Sequence, residues 1–125
     1  VTQPLTLRTR TTPGGAVVEL AGDLDHHTAL EVRAALPALG LRAGRQLVLD
    51  LGGVTFCDSS GITALIAARN HALTAGAGFA LAAVPDRVGR IFRIVGLDQV
   101  FSCHPTARAA EAAWPCAPDE AGPAA

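Results

Sequence analysis

Apolar and polar positions change period several times along the chain, and each change marks an element. "LTLRTR", Leu5 to Arg10, alternates apolar and polar and predicts a half-buried strand. "TTPGG", Thr11 to Gly15, predicts a turn. "AVVELAG", Ala16 to Gly22, predicts a second strand folded back on the first as a hairpin, and "DLDHH" reads as a polar loop after it. A helix is predicted from Thr28, with Ala29, Val32, Leu36 and Leu39 on one face. Thr28 and Glu31 have the spacing of a capping box, in which each side chain satisfies a free backbone N–H. Pro37 removes one helical hydrogen bond and crowds the preceding turn, so a kink or early end is expected there.

The next run, "QLVLDLGG" (Gln46 to Gly53), is apolar almost throughout its first half, as a central strand covered on both faces would be. "VTFCDSSGITALIAARN" (Val54 to Asn70) follows and leads into a helix. Ile62, Leu65, Ile66 and Leu73 keep helical spacing there, while Thr63, Arg69, Asn70 and Thr74 point elsewhere. Gly76 is the expected stop. Phe79 to Val84 predicts another buried strand. "DRVGRIFRIVG" predicts a helix with Val88, Ile91, Phe92 and Val95 at i, i+3, i+4 and i+7, ended by Gly96. Val100 and Phe101 suggest a short extended piece. "PTARAAEAAW" predicts a last helix with Pro105 at or near its first turn. From Pro115 onward the Pro, Ala, Gly and acidic composition predicts a disordered tail.

The order is thus ββαβαβαα. Right-handed crossovers make the second, third and fourth strands parallel. The expected fold class is α/β: a single mixed β-sheet with an N-terminal hairpin, a parallel βαβαβ core, and helices packed on it. One domain is expected over residues 1–114, with the tail over 115–125.

Composition sharpens this picture mainly by exclusion. The length of 125 residues fits one domain with one core. No apolar run approaches the roughly 20 residues that span a bilayer, and the N-terminus carries no basic-then-apolar leader, so a soluble, cytoplasmic chain with no membrane contact is expected. Net charge is −1 and every basic residue is Arg, scattered without a basic stripe, which argues against direct nucleic-acid binding. The cysteines are Cys57, Cys103 and Cys116; an odd number without a CxxC pair predicts free thiols. Cys103 beside His104, and Cys116 in the tail, do not make clustered zinc ligands, so no metal is expected. With no GxGxxG and no Walker loop, no cofactor is expected either.

The candidate chemistry sits in Asp58-Ser59-Ser60-Gly61, at the mouth of a helix. One reading is a cap, worth about 1 kcal/mol. A second is a serine nucleophile. The frame Cys57-Asp58-Ser59-Ser60-Gly61 lacks the first glycine of G-x-S-x-G, and none of His26, His27, His71 and His104 sits in a motif that would make it the base. A third is a phosphorylation switch, because a phosphate is well placed at the positive end of a helix. The residues alone leave all three open. The predicted topology adds one expectation. The loop Asp23–Thr28 and the helix start Asp58–Thr63 both follow C-terminal ends of neighbouring parallel strands, so they should lie side by side as one partner face. On it, Asp25 and His26 are expected to offer exposed polar contacts.

"GDLDHHTALEV" (Gly22 to Val32), "LVLDLGGVTFCDSSGITALIAA" (Leu47 to Ala68) and "RVGRIFRIVGLDQVF" (Arg87 to Phe101) resemble the three signature regions of the STAS-domain anti-sigma factor antagonists. The resemblance covers roughly residues 5 to 114, in the family's order and spacing. It implies a non-enzymatic regulator in a bacterial partner-switching pathway. The unphosphorylated form would bind an anti-sigma factor that is also a serine kinase, freeing the sigma factor. Phosphorylation would end the binding, and a serine phosphatase would restore it. The family's phosphoacceptor matches Ser59, and Ser60 matches a neighbouring Ser/Thr position. The partner-binding set expected on this face is Asp23, Asp25, His26, Thr28, Asp58, Ser59, Ser60, Gly61 and Thr63, and the chain is expected to be a monomer when free. Cys57 stands where the family more often has a bulkier apolar residue. The competing readings are a STAS scaffold with a partner other than an anti-sigma factor, and a small Ser-dependent hydrolase.

Overall fold

The computed structural model describes residues 4–114. Strands β1 (Thr6–Thr12) and β2 (Gly15–Leu24) form an antiparallel hairpin that turns at Pro13 and Gly14. β3 (Gln46–Cys57), β4 (Gly78–Ala82) and the two-residue β5 (Cys103–His104) extend the sheet in the order β1-β2-β3-β4-β5. Every pair from β2 onward is parallel, which places β3 at the centre as its apolar run predicts. The crossovers are α1 (Thr28–Ala35), α2 (Ser59–Thr74) and α3 (Asp86–Val95), and α4 (Ala107–Ala113) follows β5.

Side-chain alternation along the strands sorts residues onto two faces. Val18, Leu20 and Leu24 of β2 and Leu47, Leu49 and Leu51 of β3 join Val32, Leu36, Leu65, Val88 and Phe92 in the main core. Val17, Val48, Ala80 and Ala82 point to the other face and meet Ala107 and Ala110 of α4. α2 packs through Gly61, Ala64, Leu65, Ala68 and Ala72, a mostly small-residue stripe at i, i+3, i+4, i+7 and i+11. Such a stripe lets the helix axis lie close to its neighbours.

Several expectations are corrected. β2 does not end at Gly22; it runs through Asp23 to Leu24, and Leu24 is completely buried. The Thr28–Glu31 capping box does not form, because Thr28 is already inside the first turn and is buried, and Asp25 does the capping. Leu73 and Val95 are exposed, since α2 buries alanines in place of Leu73 and α3 ends at Val95 beside Gly96 at φ +81°. Val100 closes a 3-10 turn at Leu97–Gln99, so the extended piece lies later, at β5. Pro105, expected at or near the first turn of the last helix, stands just before its N-cap Thr106. As expected at Pro37, α1 stops at Ala35 and continues only as a 3-10 turn, Leu36–Leu39. The proposed tail from Pro115 lies outside the described residues.

Candidate functional site

β2 and β3 finish level with one another. Asp23 is opposite Phe56 and Leu24 is opposite Cys57, and from there the two chains diverge into α1 and α2. The Asp58 amide donates to the Leu24 carbonyl at 3.3 Å, which ties the start of α2 to the end of β2.

Asp58 has extended backbone (φ −104°, ψ −170°), and its carboxylate accepts from the Gly61 amide at 3.0 Å. This is the N-cap arrangement, which satisfies one of the donors a helix start leaves without an intrahelical partner. Cap and signature are therefore the same residues. Ser59 is the first residue of α2 and is exposed; its hydroxyl has no hydrogen-bond partner among the described residues, whereas the Thr63 hydroxyl donates to the Ser59 carbonyl at 2.9 Å. Ser60 is half-buried. Gly61 is buried against Leu24, where a side chain would collide with the Leu24 carbonyl.

The facing loop is held by its own short bonds. One Asp25 carboxylate oxygen accepts from the amides of His27 (3.0 Å) and Thr28 (3.1 Å). The Thr28 hydroxyl accepts from the Asp25 amide at 2.8 Å and donates to the Asp23 carbonyl at 2.6 Å. The Thr28 amide, above all, holds the Asp25 carboxyl below the usual carboxylate range, with the Thr28 hydroxyl and the His27 amide adding to it. Asp25 is thus occupied in shaping the loop, while His26 beside it is exposed, its ring 5.7 Å from that of His27. The two halves are joined by the Thr55 hydroxyl, which donates to the Asp23 carboxylate at 2.7 Å. Arg87 at the start of α3 donates to the Thr55 carbonyl at 3.3 Å.

All nine sequence-predicted residues therefore gather at one end of the sheet. Asp23, Asp25, Asp58 and Ser60 are partly accessible, His26, Ser59 and Thr63 are exposed, and Thr28 and Gly61 are buried beneath them. Thr55, Phe56 and Arg87 belong to the same end and were not anticipated. Phe56, 46 % exposed, is a large apolar side chain two residues from Asp58. Its place opposite Asp23 was hidden because the sequence shows neither the full length of β3 nor the extension of β2.

The chemistry available here is limited. Burial, aided by the Asp58 charge, pushes the Cys57 thiol up to about 11, which keeps it protonated and inert near neutral pH. The serine–histidine bond among the described residues is Ser102 to His104, at 3.3 Å, and neither Ser59 nor Ser60 bonds to a histidine. No group of three or more His, Cys, Asp or Glu among the described residues is placed to hold a metal ion. No described helix is long and apolar enough to cross a membrane.

Comparison with known proteins agrees with this geometry. The family model described as "Mlab, STAS domain" matches residues 7–102. An anti-sigma-B factor antagonist of Listeria monocytogenes is 31% identical over 82 residues, 66% of this chain and 72% of the relative. An anti-sigma F factor antagonist of Paenibacillus polymyxa is 32% identical over 89 residues, 70% of this chain and 76% of the relative. Among solved structures, an anti-sigma factor antagonist from Mycobacterium paratuberculosis superimposes with a TM-score of 0.78 at 29% identity, covering 89% of this chain and 94% of the other. With the Asp58 cap beside the signature serines, the sheet order and these matches in agreement, the chain belongs to the STAS-domain family of anti-sigma factor antagonists.

Proposed function

We propose that this chain is the binding component of a cytoplasmic partner switch. Its unphosphorylated form engages an anti-sigma factor with serine kinase activity and so releases a sigma factor; phosphorylation of Ser59 ends the complex, and a serine phosphatase restores it. The chain itself catalyses nothing. The observation that carries the reading is Ser59: an exposed hydroxyl with no bond to give up among the described residues, on the first residue of a helix whose cap is supplied by its neighbour. Asp23, His26, Ser59, Ser60 and Thr63 would touch the partner, with Phe56 as an apolar anchor beside them. Asp25, Thr28, Asp58 and Gly61 would hold that surface in shape.

Phosphate would act locally. It adds roughly −1.5 to −2 charges, which the helix end favours by about 0.3–1 kcal/mol and the Asp58 carboxylate opposes. The fold is retained because these effects partly cancel. At a docked interface the same charge has to lose its water, at a cost of several kcal/mol when unpaired. About 3 kcal/mol corresponds to more than 100-fold in affinity. The test is incubation with candidate anti-sigma kinases and ATP, followed by intact mass and phosphopeptide mapping. One phosphate on Ser59, lost in Ser59→Ala, supports the reading; a phosphate on Ser60 or Thr63 overturns the assignment. Ester turnover abolished by Ser59→Ala would restore the hydrolase reading instead.

A further inference from the structure

At the opposite end of the sheet, where β2, β3 and β4 begin, a cavity of about 330 Å³ opens between the hairpin turn and α4. Thr12, Pro13, Gln46, Arg108, Glu111 and Trp114 form its walls. The register explains why it exists. Thr12 is opposite Gly15, Gly15 is beside Gln46, and Gln46 is beside Gly78, so Gln46 has a glycine on each side along this row of the sheet. The Trp114 indole lies over Gly78, where any side chain would collide with it, and its N–H donates to the Gly44 carbonyl at 3.2 Å.

The polar groups in the walls are unevenly matched. Glu111 accepts from Arg10 at 3.1 Å. Gln46 is only 7% exposed and Thr12 only 9%, yet neither side chain has a hydrogen-bond partner among the described residues. Arg108 is exposed and has no ion pair among them. A buried carboxamide without partners is rare in folded proteins and calls for an occupant. Small-molecule sites combine an apolar wall with a few convergent polar groups in a cavity of this size.

We propose that this cavity binds a small aromatic carboxamide or carboxylate. The ring packs against Trp114 and Pro13. The ligand's amide or acid group pairs with the Gln46 carboxamide, which both donates and accepts, and a negative charge is favoured by Arg108. The site is separate from the switch, since Gln46 opens β3 and Cys57 closes it, roughly 36 Å away at 3.3 Å per residue.

Nicotinamide and nicotinate serve as probes with the intact chain. The chain has one Trp and no Tyr, so its emission reports on this cavity alone. Its side-chain amides are also few, Gln3, Gln46, Asn70 and Gln99, so the Gln46 NH₂ signals are readily followed by NMR. The expected result is a saturating shift of the Gln46 NH₂ pair and a saturating change in Trp emission, with the other side-chain amides unmoved. Gln46→Ala should weaken both probes by about tenfold or more. Arg108→Ala, at an exposed position without an ion pair among the described residues, should weaken nicotinate and leave nicotinamide unchanged. The proposal is overturned if neither probe moves the Gln46 signals. It is equally overturned if those signals show contacts to residues 115–125 in the free protein, because the chain's own continuation would then occupy the cavity.

Discussion

Replacing Gly61 with alanine should destabilise the protein although it improves the helix. In a helix, alanine is favoured over glycine by up to about 1 kcal/mol. At Gly61 the added methyl would lie 2.9 Å from both Cys57 Sγ and Leu24 Cγ, and closer still to the Leu24 carbonyl oxygen. Ordinary contacts lie at 3.4–4 Å, so α2 must retreat by about 0.5–1 Å. The obstacle includes backbone of β2, which cannot swing aside as a side-chain tip can. Overpacking of this kind costs about 1–3 kcal/mol. The retreat also stretches the Asp58–Leu24 backbone bond, already 3.3 Å, and its loss adds about 1 kcal/mol. The net expectation is about 1–3 kcal/mol of destabilisation, or a Tm lower by about 4–12 °C for a chain of this size. Gly89 in α3 is the matched control, because its added methyl would meet nothing nearer than 3.8 Å. Gly89→Ala should therefore raise Tm. Thermal unfolding followed by far-UV circular dichroism decides the matter. A Gly61→Ala variant as stable as the parent, or two variants shifting in the same direction, would refute the reasoning. If Gly61→Ala folds, its retreating helix should also slow the phosphorylation of Ser59 proposed above.

Three further outcomes are expected. Thr28→Val should cost about 2 kcal/mol in denaturant unfolding, because it removes both hydrogen bonds of the Thr28 hydroxyl, the one accepted from the Asp25 amide and the one donated to the Asp23 carbonyl; an unchanged midpoint would show that water replaces the hydroxyl. Asp25 has its folded-state pKa depressed, so its contribution is complete above the ordinary carboxylate value and is lost as pH falls through the lower, folded value. Hydrogen-exchange protection of the Thr28 amide should accordingly be flat near neutrality and collapse only in acid, and in Asp25→Asn that acid step should vanish. Cys57, with its thiol at about 11, has roughly a thousandth of its population as thiolate at pH 8. Peptide mapping after iodoacetamide should find it unmodified in the native protein and modified after unfolding; rapid native alkylation would contradict the burial.

What the sequence made legible follows from which signals are local. The strands around Val17 and Leu49 and the helix around Phe92 declare themselves by periodicity within one segment. The Asp58 cap is equally local: a carboxylate followed three residues later by a glycine whose amide it binds. The Thr28–Glu31 box failed because a second candidate, Asp25, stands three residues before Thr28 with the same reach, and propensity does not choose between two valid caps. Asp23 and Leu24 read as loop because four of the five residues in "DLDHH" are charged or histidine around one leucine, and only the pairing with β3 reveals that the leucine is core. The large apolar residues of α2 mark it as a helix and point Leu73 inward, yet the helix packs mostly through small residues and Leu73 is exposed. The far cavity was invisible because its walls come from the hairpin turn, the first residue of β3 and the last helix, which no sequence window contains together.

The small-residue stripe of α2 also sets the direction in which this protein is vulnerable to mutation. In a core of large side chains, harm usually comes from truncation, which leaves a hole. Here Ala64, Ala68 and Ala72 have almost nothing to remove, and Ala80, Ala82, Ala107 and Ala110 repeat the situation beneath α4. A single-base change from an alanine codon gives Val, Thr, Ser, Pro, Asp, Glu or Gly. At these buried sites most of those products add volume, charge or a broken helix, and only Ser and Gly are comparable in size. A saturation library should therefore show its deepest losses where the wild-type residue is smallest. The tolerant positions should be the exposed leucines and valines, such as Leu30, Leu73 and Val95, that a hydropathy profile would mark as core.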